Sequence, residues 1–311
     1  MELGCNNKII VILGPTSSGK SEMAIRLAKK FNGEIISADS RQIYKGLDIG
    51  TGKVSKFKQK LAKHWMIDIA NPKTEYNVSK FKRDAEKIIE DILKRKKVPI
   101  VCGGTGFWIK AVVDNVNFPE VRPNKELRKK LEKYSAKKLF KMLQELDLAR
   151  AKNIDAKNKV RLIRAIEICK AIGKVPAMPA KGWSALGGNY EFLQIGIGIP
   201  KEKLHENIRK RLKKRFGSGM IAEVEKLHEQ GLSWKKIQSF GLGYYWIPLY
   251  LQEKLDKKEL FEKIYQAEKD YAKRQTTWFG KDKRIIWLPV YRRGRKNYKE
   301  IEKEVKKCIN N

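Results

Sequence analysis

The chain is poor in the residues that build metal centres and disulfide frameworks. Its four cysteines, Cys5, Cys102, Cys169 and Cys308, lie far apart with no C-x-x-C pair, and it has only three histidines, His64, His205 and His228. No zinc site or disulfide scaffold can be read from those spacings. Long apolar runs are missing too: the longest are of strand length, well short of the roughly 20 residues a membrane span needs. The N-terminal residues lack the shape of a secretory signal. The expectation is a cytoplasmic protein with no membrane partner. Negative charge is also scarce. Against 69 Lys plus Arg stand 35 Asp plus Glu, a formal +34, more than solubility requires and the mark of a polyanionic partner. Solvated lysine faces on helices, as in Lys56-Phe57-Lys58-Gln59-Lys60, are the plainer explanation of part of that excess.

What is present is organised around Gly14-Pro15-Thr16-Ser17-Ser18-Gly19-Lys20-Ser21. It follows the apolar run Ile9 to Leu13 and precedes a helical pattern in which Met23, Leu27 and Phe31 recur at i, i+4. Strand, glycine-bounded loop and helix form the context of a phosphate-cradling loop. The glycines let successive N–H groups curl toward one anion, and the helix N-terminus adds partial positive charge. In this reading Lys20 is a point charge for the terminal phosphate and the Ser21 hydroxyl is a ligand for the magnesium ion (Mg2+) that accompanies it.

At 311 residues the chain can bury a core and still carry a second, smaller domain. Glu34 to Ser37 reads as a second strand, ending in Ala38-Asp39-Ser40-Arg41-Gln42. Asp39 lies where open α/β sheets place their ligands, so it is a candidate general base or magnesium-water contact; a helix N-cap is the equally available structural role. Residues 78 to 95 have amphipathic helical spacing. Pro99 to Cys102 reads as a buried strand closing on Gly103-Gly104-Thr105-Gly106, where a motor ATPase would carry a metal-binding acid. Residues 123 to 173 are charged and helical in pattern, with no strand signal. Strand character returns at Phe192 to Ile199, so a discontinuous core is expected: 1–118 as the first part of an α/β core, 119–190 as a helical insertion, and 191–311 as the rest of the core with basic C-terminal helices. In the helix from about residue 202, Leu204, Ile208 and Leu212 define the inward face, and Arg211 and Arg215 lie near it. An inward arginine needs an anion, either a phosphate at the loop or a buried carboxylate. Farther on, Ile264, Ala267, Tyr271 and Trp278 make an apolar stripe bordered by Arg274 and Gln275. Basic clusters at 281–284 and 292–296, with Trp287 and Tyr291 between them, suit phosphate-backbone contacts.

Together these residues resemble the tRNA dimethylallyltransferases, also called tRNA isopentenyltransferases. The likeness runs through Gly14 to Ser21, Ser37 to Tyr44, Asp48-Ile49-Gly50-Thr51, Gly103 to Gly106, Arg161-Leu162-Ile163-Arg164-Ala165, Gly243-Tyr244 and Lys273 to Phe279. The resemblance implies a P-loop NTPase-like parallel α/β core with a helical insertion domain that grips the tRNA anticodon stem-loop. It also implies transfer of a dimethylallyl group from dimethylallyl diphosphate to N6 of the adenosine immediately 3′ of the anticodon, adenosine 37. Carried over by residue, Asp39 is the general base, and Thr16 and Arg211 contact the diphosphate, including the bridging oxygen. RNA contacts fall to Asp39, Ser40, Arg41, Gln42, Thr105, Arg128, Arg161, Arg164, Gly243, Tyr244, Lys273, Arg274 and Gln275.

The chain departs from the family pattern in places. Gly52 and Val54 stand where relatives commonly have Ala and Pro, Asn207 replaces a frequent arginine, and Tyr245-Trp246 follows Gly243-Tyr244 in place of a basic or polar pair. With no Cys/His extension after the C-terminal helix, the bacterial form and a monomer are expected. A kinase on the same loop would leave the +34 charge and the 273–275 segment without a purpose. A prenyltransferase acting on free AMP or ATP would need no basic platform, and a non-catalytic RNA binder would not need the Thr16, Lys20, Ser21 and Asp39 set. If the basic surface serves RNA, tRNA affinity measured by filter binding falls steeply with salt, with a log–log slope of about −0.7 to −0.9 per neutralised phosphate. A flat response would reduce the excess lysine to a compositional bias.

Overall fold

The computed structural model describes residues 7–176, 190–292, 295–296 and 298–310. Cys5, the loop at 183–189 and the middle of the 292–296 cluster lie outside them. One compact unit comprises the residues up to Asn115 and those from Tyr190 onward; a second begins at Val116, its described part running through Pro176. The first unit opens with β1 (Lys8–Leu13), α1 (Lys20–Lys30), β2 (Gly33–Ala38), α2 (Lys56–Leu61), β3 (His64–Trp65), α3 (Val78–Lys94), β4 (Val98–Gly103) and α4 (Gly106–Val113). The second holds α5 (Lys125–Glu132), α6 (Ala136–Leu146), α7 (Leu148–Lys152) and α8 (Lys159–Ile172). The chain then returns through β5 (Glu191–Gly198), α9 (Lys201–Gly217), α10 (Met220–Glu229), α11 (Trp234–Gln238), α12 (Gly243–Leu251) and α13 (Lys257–Phe279). It ends with β6 (Ile286–Pro289), β7 (Tyr291–Arg292), β8 (Arg295–Lys296) and α14 (Lys299–Asn310).

Six strands form one parallel sheet in the order β3-β2-β4-β1-β5-β6. The unbroken apolar run of β1 has a simple cause. Ile9, Val11 and Leu13 pack on one face with α3, α4, α10, α12 and α13, while Ile10 and Ile12 pack on the other with α1 and α14. With both faces covered, no position in the strand is left for a polar residue. Leu13 is in register with Gly103 and with Gly196, and Ala38 also pairs with Gly103. The carboxyl ends of β1, β2 and β4 therefore finish level, and the loops that follow them converge. Gly103 permits this: a Cβ there would lie 2.2 Å from the Ala38 carbonyl oxygen.

The longest helix, α13, starts with a capping box between Asp256 and Glu259. Its buried face is Leu260, Ile264, Glu268, Ala272, Gln275 and Phe279, which differs from the stripe expected from the sequence. Trp278 turns outward and is 40% exposed, while Glu268 and Gln275 point inward because each finds polar partners there. Apolar residue type alone misassigns a face whose interior is partly polar.

In the second unit, side chains of Asn124, Ser135, Asp147 and Asn158 cap the four helices, each satisfying an N–H that the first turn leaves open. Leu131, Leu139, Leu143, Leu162 and Ile166 fill its core, whereas Leu146 remains 39% exposed. Within it Glu167 is buried, accepting Arg128 Nε and Nη2 at 2.9 and 2.8 Å, Arg164 Nη1 at 2.5 Å and the Asn124 N–H at 2.6 Å. Burial by itself would raise the Glu167 carboxyl, but those bonds overcome it and hold the group at about 2. A depressed carboxylate contributes stability that is full above its unfolded value and is lost as pH falls toward the folded one. Glu167→Ala leaves two half-buried guanidiniums without their anion and is expected to cost about 3 kcal/mol. Urea denaturation of the full chain measures this, and an unchanged midpoint would contradict it.

Candidate active site

The converging loops wall a cavity of about 1190 Å³ lined, among others, by Thr16, Lys20, Ser21, Asp39, Arg211 and Gln275. The phosphate loop owes its curl to backbone that L side chains rarely adopt: Gly14 and Gly19 have φ of +142° and +101°, and Ser17 has +61°. The Ser17 and Ser18 hydroxyls are buried and lack a hydrogen-bond partner. Buried polar oxygens without partners mark a place built for further polar atoms.

Two long-range clamps fix the loop. Gln275 Oε1 accepts the Thr16 N–H at 2.7 Å, and its Nε2 donates to the Gly104 carbonyl at 2.8 Å. One buried amide thereby ties α13 to the loops after β1 and β4. From α9, Arg211 Nη1 donates to Thr16 Oγ1 at 3.0 Å, while Nη2 donates to the Thr51 and Gly52 carbonyls at 3.3 and 2.9 Å. Asn207, one turn earlier, donates to the Ser17 carbonyl at 3.3 Å. The two inward arginines divide the alternatives between them. Arg215 pairs with the buried carboxylate of Glu268 and donates to the Gly50 carbonyl at 2.8 Å. Arg211 has only neutral oxygens and faces the cavity.

The electrostatics follow from burial. Lys20 donates to the Pro15 carbonyl at 2.5 Å, and desolvation pulls its ammonium down to about 8. Desolvation also lowers Arg211, with the Arg215 charge adding to the effect. Cys102, beside Lys20, is raised by burial to about 12, so its thiol stays neutral. Two cations face one cavity with Asp39 as the nearby carboxylate, and neither is hydrogen-bonded to an acid among the described residues, an arrangement that suits an anion.

Asp39 follows the end of β2. Its Oδ1 accepts the N–H groups of Arg41 and Gln42 at 2.9 and 3.3 Å, and Oδ2 accepts Gln42 Nε2 at 3.4 Å. No helix follows Asp39, so the N-cap role offered by the sequence is not realised: the carboxylate instead holds the turn that follows β2, and it lines the cavity. Thr105 Oγ1 accepts the Ser40 N–H at 3.1 Å, coupling this turn to the loop after β4. Tyr271 is raised to about 12 by burial and by the Asp39 charge.

Of the residues singled out from the sequence, Thr16, Ser17, Gly19, Lys20, Ser21, Asp39, Ser40, Arg41, Gln42, Arg211, Arg274 and Gln275 line one cavity. Gly14, Pro15 and Ser18 form the buried back of the loop. Tyr244 is 2% exposed and donates to Glu223, which makes it a support for the 48–52 loop; Gly243 is buried beside it. Lys273 is exposed on α13, and Arg161 is exposed on α8 in the second unit, where Arg128 and Arg164 hold Glu167. Glu223 and Glu268 were not singled out, and Asn207 only as a departure from the family pattern. For Glu268 a signal existed: Leu260, Ile264, Glu268 and Ala272 step by four, so an acid interrupts an otherwise apolar face.

The family model described as IPP transferase matches residues 42–282. The chain is 39% identical over 306 residues to the tRNA dimethylallyltransferase of Halothermothrix orenii, an alignment covering 97% of this chain and 92% of that protein. Among solved structures, the full-length tRNA isopentenylpyrophosphate transferase of Bacillus halodurans matches with a TM-score of 0.72 at 30% identity, over 98% of this chain and 97% of that one. The tRNA delta(2)-isopentenylpyrophosphate transferase of Staphylococcus epidermidis matches with a TM-score of 0.69 at 37% identity, over 98% of this chain and 99% of that one.

The pKa of Lys20 makes the anion site sensitive to pH. In the free protein the ammonium loses its proton as pH rises through about 8, whereas a bound diphosphate would hold the proton on. If the site holds diphosphate, affinity is therefore expected to be full below that value and to weaken above it, by about tenfold per unit in the limit of one linked proton. Calorimetric titration with inorganic pyrophosphate across that range tests this; a profile flat through the pKa would contradict the assignment.

Proposed function

The chain belongs to the IPP transferase family and is an enzyme of the prenyltransferase type, and from that premise we propose how its cavity works. It transfers the dimethylallyl group of dimethylallyl diphosphate to N6 of the adenosine immediately 3′ of the anticodon in tRNA, releasing diphosphate. The observation that carries this reading is the bond from Arg211 Nη1 to Thr16 Oγ1. It sets a desolvated guanidinium and a hydroxyl at one edge of a phosphate loop, in the cavity that Asp39 also lines.

The geometry supports the following roles. The N–H groups of the loop and Lys20 bind the diphosphate oxygens. Thr16 and Arg211 face the bridging oxygen, where negative charge develops as the C–O bond breaks and its electron pair leaves with diphosphate. Donors fixed in place before charge appears supply the electrostatic stabilisation that usually dominates catalysis. The lone pair of N6 forms the new C–N bond, and its proton passes to Asp39 Oδ2, whose hydrogen bond among the described residues is the long one from Gln42. An adenine amino group is a poor base, so proton capture comes late, and a carboxylate held in orientation by main-chain N–H groups suits the task. Modification of a base requires it to leave the helical stack.

Among the described residues no cluster of three or more His, Cys, Asp or Glu could hold a metal. The Ser21 hydroxyl, with Asp39 in the same cavity, fits a hydrated magnesium ion carried mainly by diphosphate oxygens. Bound there, it would neutralise charge on the leaving group. RNA contacts are assigned to Ser40, Arg41, Gln42, Thr105, Lys273 and Arg274 around the cavity, and to Arg128, Arg161 and Arg164 in the second unit. The proposed working form is a monomer in the cytoplasm. Among the described residues no helix is long and apolar enough to cross a membrane.

Label from radiolabelled dimethylallyl diphosphate is expected to appear in unmodified tRNA at the adenosine beside the anticodon, with ATP and AMP as controls. Label confined to AMP, or ATP consumed without transfer, would overturn the reading. Asp39→Asn keeps an acceptor for the two N–H groups but removes the proton acceptor. It should lower kcat by about a hundredfold or more while tRNA binding is retained, and a variant within about tenfold of wild type would remove Asp39 from the role of base.

A further inference from the structure

The loop that supports Arg211 is itself wrapped around a carboxylate outside the cavity. The N–H groups of Asp48 and Ile49 donate to Glu223 Oε2 at 2.8 and 2.6 Å, and the Gly50 N–H donates to Oε1 at 2.9 Å. The hydroxyl of buried Tyr244 donates to the same Oε1 at 2.7 Å. Burial and the neighbouring Glu223 charge keep the proton on that phenol well above its ordinary pKa. Successive N–H groups curled around one anion form a nest. The next three carbonyls face the arginines: Gly50 accepts from Arg215, and Thr51 and Gly52 accept from Arg211. An anion thus anchors the start of the loop, and its end offers oxygens to cations.

Two glycines make this arrangement possible. A Cβ at Gly50 would lie 2.5 Å from Tyr244 Cζ, blocking the reach of the phenol to Glu223. Gly52 has φ +60°, and a Cβ there would lie 2.0 Å from Arg211 Nη2 and 2.7 Å from Cζ. The guanidinium therefore lies directly on a bare α-carbon, in a backbone conformation that favours glycine. Arg211 has no carboxylate among its hydrogen-bond partners, so its position rests on Thr16 and on this loop.

We propose that Glu223 is a positioning residue for departure of the diphosphate. By fixing residues 48–52 it sets where Arg211 meets the oxygen on which charge develops, with Gly52 as the surface that receives the guanidinium. A catalytic donor is effective only if held before the charge appears, and the groups that hold it matter as much as the donor. Glutamate is required because two carboxylate oxygens accept four donors. A glutamine has one acceptor oxygen and would turn its NH2 against either the Asp48 and Ile49 donors or the Gly50 and Tyr244 donors.

This inference rests on the function proposed above, and a double-mutant cycle tests it. Glu223→Gln and Gly52→Ala are each made in the wild-type protein and in Arg211→Gln, and single-turnover transfer from dimethylallyl diphosphate, KM for tRNA and Tm are measured. Each substitution is expected to lower the transfer rate by about tenfold or more with KM for tRNA within about twofold, and to have almost no further effect once Arg211 is Gln. Losses that multiply with that of Arg211→Gln, or an unchanged rate in the single variants, would overturn the proposal. If Glu223→Gln does not fold, Gly52→Ala decides by the same criterion. A wild-type protein that transfers no label contradicts the proposed function, whereas active wild type with uncoupled variants contradicts only the role of Glu223.

Discussion

Two cations, Lys20 and Arg211, are withdrawn from water without a paired carboxylate, and much of the structure exists to hold them so. Their partners are neutral oxygens: the Pro15 carbonyl for Lys20, and Thr16 Oγ1 with the Thr51 and Gly52 carbonyls for Arg211. Hydrogen bonds to neutral acceptors replace part of the lost hydration and leave the charge uncompensated. The lowered pKa of Lys20 is the measure of that cost. An anion entering the cavity restores the missing term, so binding energy is stored in the free protein as desolvation. The contrast with Arg215 makes the point from the same helix. That guanidinium is ion-paired with Glu268, whereas Arg211, one turn earlier, bonds only to neutral oxygens among the described residues.

The elements that impose this arrangement come from distant parts of the chain. The sheet brings the ends of β1, β2 and β4 level because all three are parallel and in register. Helix α9 then supplies the arginines, and α13 supplies Glu268 and Gln275 at positions where a helix of that length would otherwise bury apolar side chains. Gln275 is the more telling of the two. Its amide satisfies a loop N–H and a loop carbonyl simultaneously, and it is 5% exposed. A buried amide with both ends paired fixes the relative position of the two loops more sharply than an apolar contact could, because an offset would leave buried donors and acceptors unmet.

The local features were legible in the sequence, and the long-range pairings were not. Gly14 to Ser21 announces itself by spacing, and Asp39 by its place after a strand. The inward direction of Arg211 and Arg215 follows from helical angle alone. What angle cannot supply is the partner. Nothing in the sequence near Arg215 names Glu268, and nothing near Asp48 names Glu223, because those acids lie on helices that meet the loop only in three dimensions. The stripe on α13 went astray for a related reason. Trp278 is large and apolar, so pattern reading turns it inward; in the fold Gln275 takes the inward place because two backbone groups require it. Compact unit boundaries follow the same logic. The helical texture of 123–173 was clear, but where a unit begins depends on contacts, and the second unit starts at Val116.

Asp39 shares its cavity with Lys20 and Arg211, and among the described residues it is hydrogen-bonded to neither. A carboxylate in direct contact with Lys20 or Arg211 would be stabilised in its charged form and would resist taking a proton, while neutralising the charge meant for the leaving group. Asp39 is instead turned into its own loop, where the Arg41 and Gln42 N–H groups orient it. Thr105 secures that turn through Ser40. Backbone N–H groups likewise hold the Glu223 carboxylate, there from residues 48–50. In both cases main-chain N–H groups fix an acid in place, and in the proposed reaction the side-chain cations would then be available to the diphosphate.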